Sequence, residues 1–235
     1  MREAISGASC GGHGPWHWPT PASVQLACGW LHAEERTKGW WNDYRGILSP
    51  GFLDLAELEH KASYIRAIQM LIIPGVFQTE SYARAIIRSG ITDLPTNELN
   101  ARVEHRTRRR DIFDRPRPTP FEAFIHEAAL RMRYCDPETM RAQLAFLHEV
   151  STWPSVTIRI IPFTRQITGS VHSTLYAGAE IPALDTVQLD SAFDAGFLDA
   201  EAQLARYRAL LDSIESISLD TEESAQFIQH IAQEM

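Results

Sequence analysis

Lysine is nearly missing from this chain: Lys38 and Lys61 are the only two, so its basic side chains are almost all arginine. The three cysteines, Cys10, Cys28 and Cys135, are odd in number and irregular in spacing, which disfavours a disulfide framework. No apolar run approaches the eighteen or so residues of a membrane span. The start of the sequence lacks the basic-then-apolar pattern of a signal peptide, so a reducing cytoplasm is the expected location. Neither common phosphate-cradling glycine loop occurs, and there is no internal repeat. Gly7-Ala8-Ser9-Cys10-Gly11 fits G-x-S-x-G in letters, but neither the preceding strand nor the following helix of a nucleophile elbow is present. His126-Glu127 begins like a zinc-protease helix, yet position 130 is leucine where the second ligand belongs. Cys10, His13, His17 and Cys28 lie irregularly among glycines, a pattern better suited to a flexible leader than to zinc. No metal, cofactor or catalytic residue is expected.

What is present suits one large globular domain. With 235 residues, 44% of them hydrophobic and 22% charged, the chain can bury a full core without staples. Its net charge of −8 is unevenly spread. From Glu180 onward twelve acids face only Arg206 and Arg208, whereas 102–117 holds seven arginines against Glu104, Asp111 and Asp114. The overall acidity fits nucleic acid poorly, and acids interrupt the arginine cluster. A solvated or internally paired helix face is therefore the expected role of that cluster, and direct sequence-specific DNA binding by this chain is not expected.

Periodicity predicts an α+β fold: N-terminal helices, a small, mostly antiparallel sheet, and C-terminal helices. Residues 1–30 read as an irregular leader and 31–235 as the domain. Leu55, Leu58, Ala62, Ile65 and Gln69 predict one helical face running to the Pro74–Gly75 stop. Thr79 and Thr96 open two further helices, and Phe121–Leu130 reads as a buried strand. Asp136–Pro137 starts a helix carrying Met140, Leu144 and Leu147. Val156, Ile158 and Ile160 alternate as a strand, with weaker strands at Ser173–Ala177 and Thr186–Asp190. Two helices close the chain, the second behind an Asp220/Glu223 capping box.

Several segments carry a resemblance. They are Gly39-Trp40-Trp41, the run from Ile73-Pro74-Gly75 through Gln78-Thr79 to Tyr82 and Ala85, Ile125–Arg131, Leu184–Asp190, and the tail from Asp199 to Tyr207. Together, in collinear order over about 30–235, they resemble the C-terminal domain of unknown function of actinobacterial WhiJ-like and antitoxin-like helix-turn-helix regulators. The resemblance implies a sensor of a small ligand or of a protein partner, attached to a DNA-binding head, with no catalytic residues assigned. Residues 1–30 show no helix-turn-helix pattern. A truncated gene or wrong start codon, a DNA-binding partner on another chain, and reuse of the domain for another task each account for that.

The expected function is thus regulatory. It would act through a small-molecule ligand or a protein partner (a small toxin-like or helix-turn-helix protein), away from any membrane and without catalysis. Candidate contact residues are Trp40, Trp41, Gln78, Thr79, Tyr82 and His126. The aromatic residues among them could line an apolar pocket or simply pack in the core, and the capped helix start at Thr79 offers free N–H groups. The competing expectation is an enzyme derived from the regulator domain, with its pocket near Trp41, Gln78, Tyr82 and His126.

Overall fold

The structure, a computed structural model, describes residues 39–90, 94–167, 171–189 and 196–235, all within the unit Thr37–Met235. The leader 1–30, with its cysteines, histidines and serine motif, lies outside the described residues. The fold is α+β. Its helices are α1 (Pro50–Lys61), α2 (Glu80–Arg88), α3 (Thr96–Arg108), α4 (Glu127–Arg131), α5 (Pro137–Val150), α6 (Glu201–Ile217) and α7 (Thr221–Gln233). Short 3-10 turns stand at Trp40–Tyr44, Gly75–Phe77, Arg109–Ile112 and Pro182–Leu184. The strands are β1 (Tyr64–Gln69), β2 (Phe121–His126), β3 (Val156–Ile161), β4 (Thr174–Gly178), β5 (Thr186–Leu189) and β6 (Gly196–Leu198).

One sheet holds all six strands in the order β3-β2-β1-β4-β5-β6. Its β1–β2 and β2–β3 pairings are parallel and the other three are antiparallel, so the sheet is mixed with an antiparallel majority. Parallel neighbours need long crossovers, and the helical stretches after β1 and β2 supply them. Alternation sorts the side chains. Ile65, Ala67, Phe121, Ala123, Ile125 and Leu175 face a core shared with α5 and α7. Ile68, Phe124, Ile161, Tyr176 and Val187 face α6 on the opposite side.

Helix boundaries follow local chemistry. Thr79 accepts the Tyr82 N–H through Oγ1, and Asp136 accepts that of Thr139. Asp220 and Glu223 form the complete capping box. Thr96 is the first residue of α3 rather than its cap, a place taken by Pro95.

Two expectations are corrected and one strand is added. The helix of Leu55 and Leu58 ends at Lys61, and Ile65 and Gln69 belong to β1. A strand covered on both faces lacks the polar alternation that would reveal it, so its apolar residues merged with the preceding helical period. The Phe121–Leu130 strand stops at His126, whose Nδ1 accepts the Ala128 N–H and caps α4; the following Glu-Ala-Ala-Leu-Arg strongly favours helix. Finally, β6 was not anticipated, being three residues long.

The turn between α6 and α7 and the start of α7 bond to the outer strand β3 at Ile160. Ile160 of β3 donates its N–H to Ser224 Oγ at 2.9 Å and accepts the Leu219 N–H at 2.9 Å. Behind the sheet, Arg66 reaches Glu122, Asp212 and Glu215 at 2.7–2.9 Å, tying β1 and β2 to α6.

Candidate functional site

Beside β1, where the parallel half of the sheet gives way to the antiparallel half, lies a cavity of about 110 Å³. Its polar wall comes from four places: Glu59 on α1, Arg106 and Arg109 at the end of α3 and the turn beyond, Gln78 on the Ile73–Gln78 loop, and Gln69 and Gln188 on β1 and β5. Phe52, Leu55, Ile72, Val76 and Leu175 supply apolar surface, with Ala67 at the sheet. A hollow in which several polar groups converge beside apolar surface is a candidate small-molecule site. A larger hollow of about 500 Å³, lined by Phe113, Trp153 and prolines, is wide open and gathers few polar groups, so it meets that description less well.

The polar groups are held in a chain. Glu59, 1% exposed, grips Arg109 with both oxygens, at 2.6 Å to Nε and 2.5 Å to Nη2. Such a planar two-point match is the strong form of a carboxylate–guanidinium contact. Gly75 packs onto that guanidinium. A Cβ built there would lie 3.1 Å from Arg109 Nη1, so a side chain at this position would make the guanidinium give by a few tenths of an ångström. Gln78, 2% exposed, donates through Nε2 to the Ile73 carbonyl at 2.6 Å, and its Oε1 accepts from Arg106 at 3.2 Å. Arg110 donates to the Val76 and Gln78 carbonyls. Fully buried Gln143 on α5 completes the loop's support, accepting the Thr79 N–H and donating to the Phe77 carbonyl, each at 2.7 Å.

The six residues singled out by sequence are dispersed. Of them, Gln78 lines the cavity. Thr79 caps α2, and Tyr82 is wholly buried in the core, where loss of solvent pushes its phenol pKa up. His126 stands at the end of β2 against Phe163, ring centres 5.2 Å apart, and burial lowers its pKa while the adjacent Glu127 opposes the shift. That glutamate is occupied: Arg131 donates to one oxygen and the Phe163 N–H to the other. Trp40 and Trp41 do not line the cavity but belong to an aromatic cluster with Tyr44, Phe52 and His105, which meets the cavity at Phe52. There the Arg108 guanidinium sits 4.9 Å from the Trp40 ring centre. The Trp41 ring lies so close over Gly39 that any side chain would collide with it.

The arginine cluster turns largely inward. Besides Arg106, Arg109 and Arg110, Arg102 pairs with Glu98, Arg108 with Asp43, and Arg115 donates to the His60 carbonyl. A further buried set escaped sequence reading. Asp185 accepts the Tyr176 hydroxyl at 2.5 Å and the Ala179 N–H at 2.9 Å, and Arg208 donates to the same tyrosine at 2.8 Å. The matching Leu184–Asp190 segment of the resemblance therefore includes a clasp between the β4–β5 hairpin and α6.

Residues 52–230 match the family described as Domain of unknown function (DUF5753). The chain belongs to that family. The matched span takes in α1 through most of α7, and with them every wall of the cavity. No curated protein and no solved structure matches this DUF5753 chain. Among the described residues no helix is long and apolar enough to cross a membrane, and no three His, Cys, Asp or Glu side chains group as metal ligands.

His105 sets a pH dependence. It is 1% exposed, and burial, aided by Arg109, Arg106 and Arg108, lowers its pKa from 6.5 to about 3. The folded state thus holds a neutral ring while the unfolded chain takes up a proton below about pH 6.5. Stability contributed above that pH is lost as the pH falls toward 3, by at most ~1.4 kcal/mol per pH unit. Urea unfolding of the wild type and of His105→Leu at pH 7 and pH 5 checks this: the variant should show the smaller acid loss. Equal losses would mean that His105 does not titrate in this window.

Proposed function

We propose that this chain is the sensing domain of a cytoplasmic regulatory system, binding a small ligand in the cavity beside β1 rather than catalysing a reaction. The observation that carries this reading is the convergence of Glu59, Arg109, Arg106, Gln78, Gln69 and Gln188 on one small, otherwise apolar hollow. The likeness to actinobacterial antitoxin-like helix-turn-helix regulators supports it, because a sensor is what that kinship implies. So does the placement of the walls. Helices α1 and α3 line the cavity and also carry Leu53, Ala56, Ala101 and His105 of the Trp40–Trp41 cluster. A ligand that shifted either helix would be felt at that cluster, on which a protein partner, toxin-like or helix-turn-helix, could act. The inward engagement of the arginines supports a domain that leaves sequence-specific DNA contact to another element.

The enzyme reading has weaker support. Trp41 in the aromatic cluster, Gln78 at the cavity, Tyr82 in the core and His126 at the end of β2 do not converge on one site, and both oxygens of Glu127 and of Glu59 are bonded to other groups. Native mass spectrometry of the purified chain tests the sensor reading, with Ala67→Leu as the variant that fills the cavity floor. The expected result is a small molecule retained by the wild type and absent from a folded Ala67→Leu. A wild type that retains nothing, or a variant that retains the same molecule, would overturn it.

A further inference from the structure

We propose that the open groove at the amino ends of β2 and β3 is a docking site for a proline-rich peptide in the polyproline II conformation, its prolyl rings packed on Trp153 and Phe113 and a basic flanking residue set against Asp114. The groove measures about 500 Å³, within the ~300–1,000 Å³ of pockets that hold compact ligands. Its lining shares no residue with the cavity beside β1, so this inference and the sensor reading stand apart.

The walls are ordered and rich in rings. Phe113, 8% exposed, and half-buried Trp153 meet edge to face with ring centres 5.6 Å apart, and Phe146 also packs edge-on against Trp153, at 6.1 Å. Exposed Pro118, Pro120 and Pro154 add three fixed rings. Backbone bonds hold the stretches that carry them. Thr119 donates its N–H to the Ile112 carbonyl at 3.0 Å, Trp153 to that of Val150 at 3.0 Å, and Phe121 to that of Ser155 at 2.8 Å. Walls already ordered lose little freedom when a ligand arrives.

Hydrogen bonding selects the backbone that fits. The prolines have no N–H, and Phe113, Asp114 and Trp153 give theirs to Arg110, Asp111 and Val150. The lining therefore cannot form the ladder by which an extended strand is added to a sheet edge. What remains is the Trp153 indole N–H and the Ser155 hydroxyl, neither with a partner among the described residues. So few donors suit a ligand that shows carbonyls outward and needs no ladder. A polyproline II segment is such a ligand: it has no internal hydrogen bonds, its carbonyls are open, and its conformation is set before binding.

Charge orients the segment. The Asp114 carboxylate has no hydrogen bond or ion pair among the described residues. Arg110 attracts it only from longer range, being itself bound to the Val76 and Gln78 carbonyls. Arg115 is turned onto the His60 carbonyl and Thr119, and Arg117 lies outside the lining. An open acid beside aromatic and prolyl rings matches an arginine or lysine next to prolines in the partner. The chain's net charge of −8 favours the approach of such a peptide.

Fluorescence anisotropy on the full chain, with a labelled oligoproline ending in arginine, tests the proposal. The same peptide ending in glutamate and an oligoalanine ending in arginine are the comparisons. Saturable binding is expected for the first, about twofold to fivefold weaker with the glutamate end, the scale of one exposed ion pair. The oligoalanine should bind at least about tenfold more weakly, lacking the preset rings. Asp114→Lys, an exposed change, should reverse the preference between the two ends. Trp153→Phe keeps a ring without the N–H and should weaken binding about twofold to tenfold, the scale of one hydrogen bond; circular dichroism confirms that it is folded. No saturable binding, an oligoalanine bound as well as the oligoproline, or an end preference that Asp114→Lys leaves unchanged would overturn the proposal, as would undiminished binding by folded Trp153→Phe. Trp153-dependent binding of the neutral dye Nile red that the oligoproline does not displace would give the groove to a small apolar ligand instead. Sedimentation of the wild type as a dimer that Asp114→Lys dissolves would give it to a second copy, and either result would also overturn the peptide assignment.

Discussion

Glu59→Gln is expected to destabilise the domain by about 3–5 kcal/mol, the range for removing one partner of a buried ion pair. For a domain of this size that corresponds to a fall in Tm on the order of 10 °C. The cost arises on the other side of the pair: Arg109 stays nine-tenths buried, and a neutral amide cannot replace a carboxylate that bonds both edges of the guanidinium. Attraction inside the pair is offset by the desolvation of both charges, so replacing both residues should behave differently. Glu59→Leu combined with Arg109→Met is expected to recover most of the loss, as apolar replacements of buried pairs often do. Thermal melts of the single and double variants decide this. A Glu59→Gln protein melting within about 2 °C of the wild type would show that water reaches the pair, at the few degrees per kcal/mol expected for this size.

Gln143→Leu should cost about 2–6 kcal/mol by a different route. Leucine fills nearly the same space but strips the Thr79 N–H of its acceptor and the Phe77 carbonyl of its donor. Each buried backbone group left unsatisfied costs roughly 1–3 kcal/mol. Both belong to the loop that holds Gln78 at the cavity, so loosening should reach the site as well as the melting curve. In urea the variant should show a lower midpoint with an unchanged slope, the signature of lost stability without a changed surface. An unchanged midpoint would mean that the loop finds other partners.

The contrast between these two glutamines shows what a linear reading reaches. Gln78 was singled out from its turn-and-cap setting and does line the cavity, but as a buried strut bonded at both ends. Gln143 was passed over, because its importance depends on a loop 64 residues earlier in the chain. The Glu59–Arg109 pair spans 50 residues and was equally hidden, although internal pairing was the preferred reading of the arginine cluster. Caps at Thr79, Asp136 and Asp220 were legible because donor and acceptor lie within three residues. Strand β1 was not, since its identity comes from neighbours at Phe121 and Leu175 that no local window contains. Local chemistry wrote the boundaries; distant partners wrote the cavity.

The bonds from Ile160 to Ser224 and Leu219 bear on how copies of this domain can meet. An uncovered outer strand is a template on which another chain can add a strand of its own, the common start of runaway association. At Ile160 of β3 that template is already taken by Leu219 of the α6–α7 turn and Ser224 of α7. A visiting strand would have to evict Ser224 and Leu219 before making its first backbone bond at Ile160. Growth of the sheet by recruitment of a neighbour is therefore blocked at that position; among the described residues the outer strand at the opposite margin is β6.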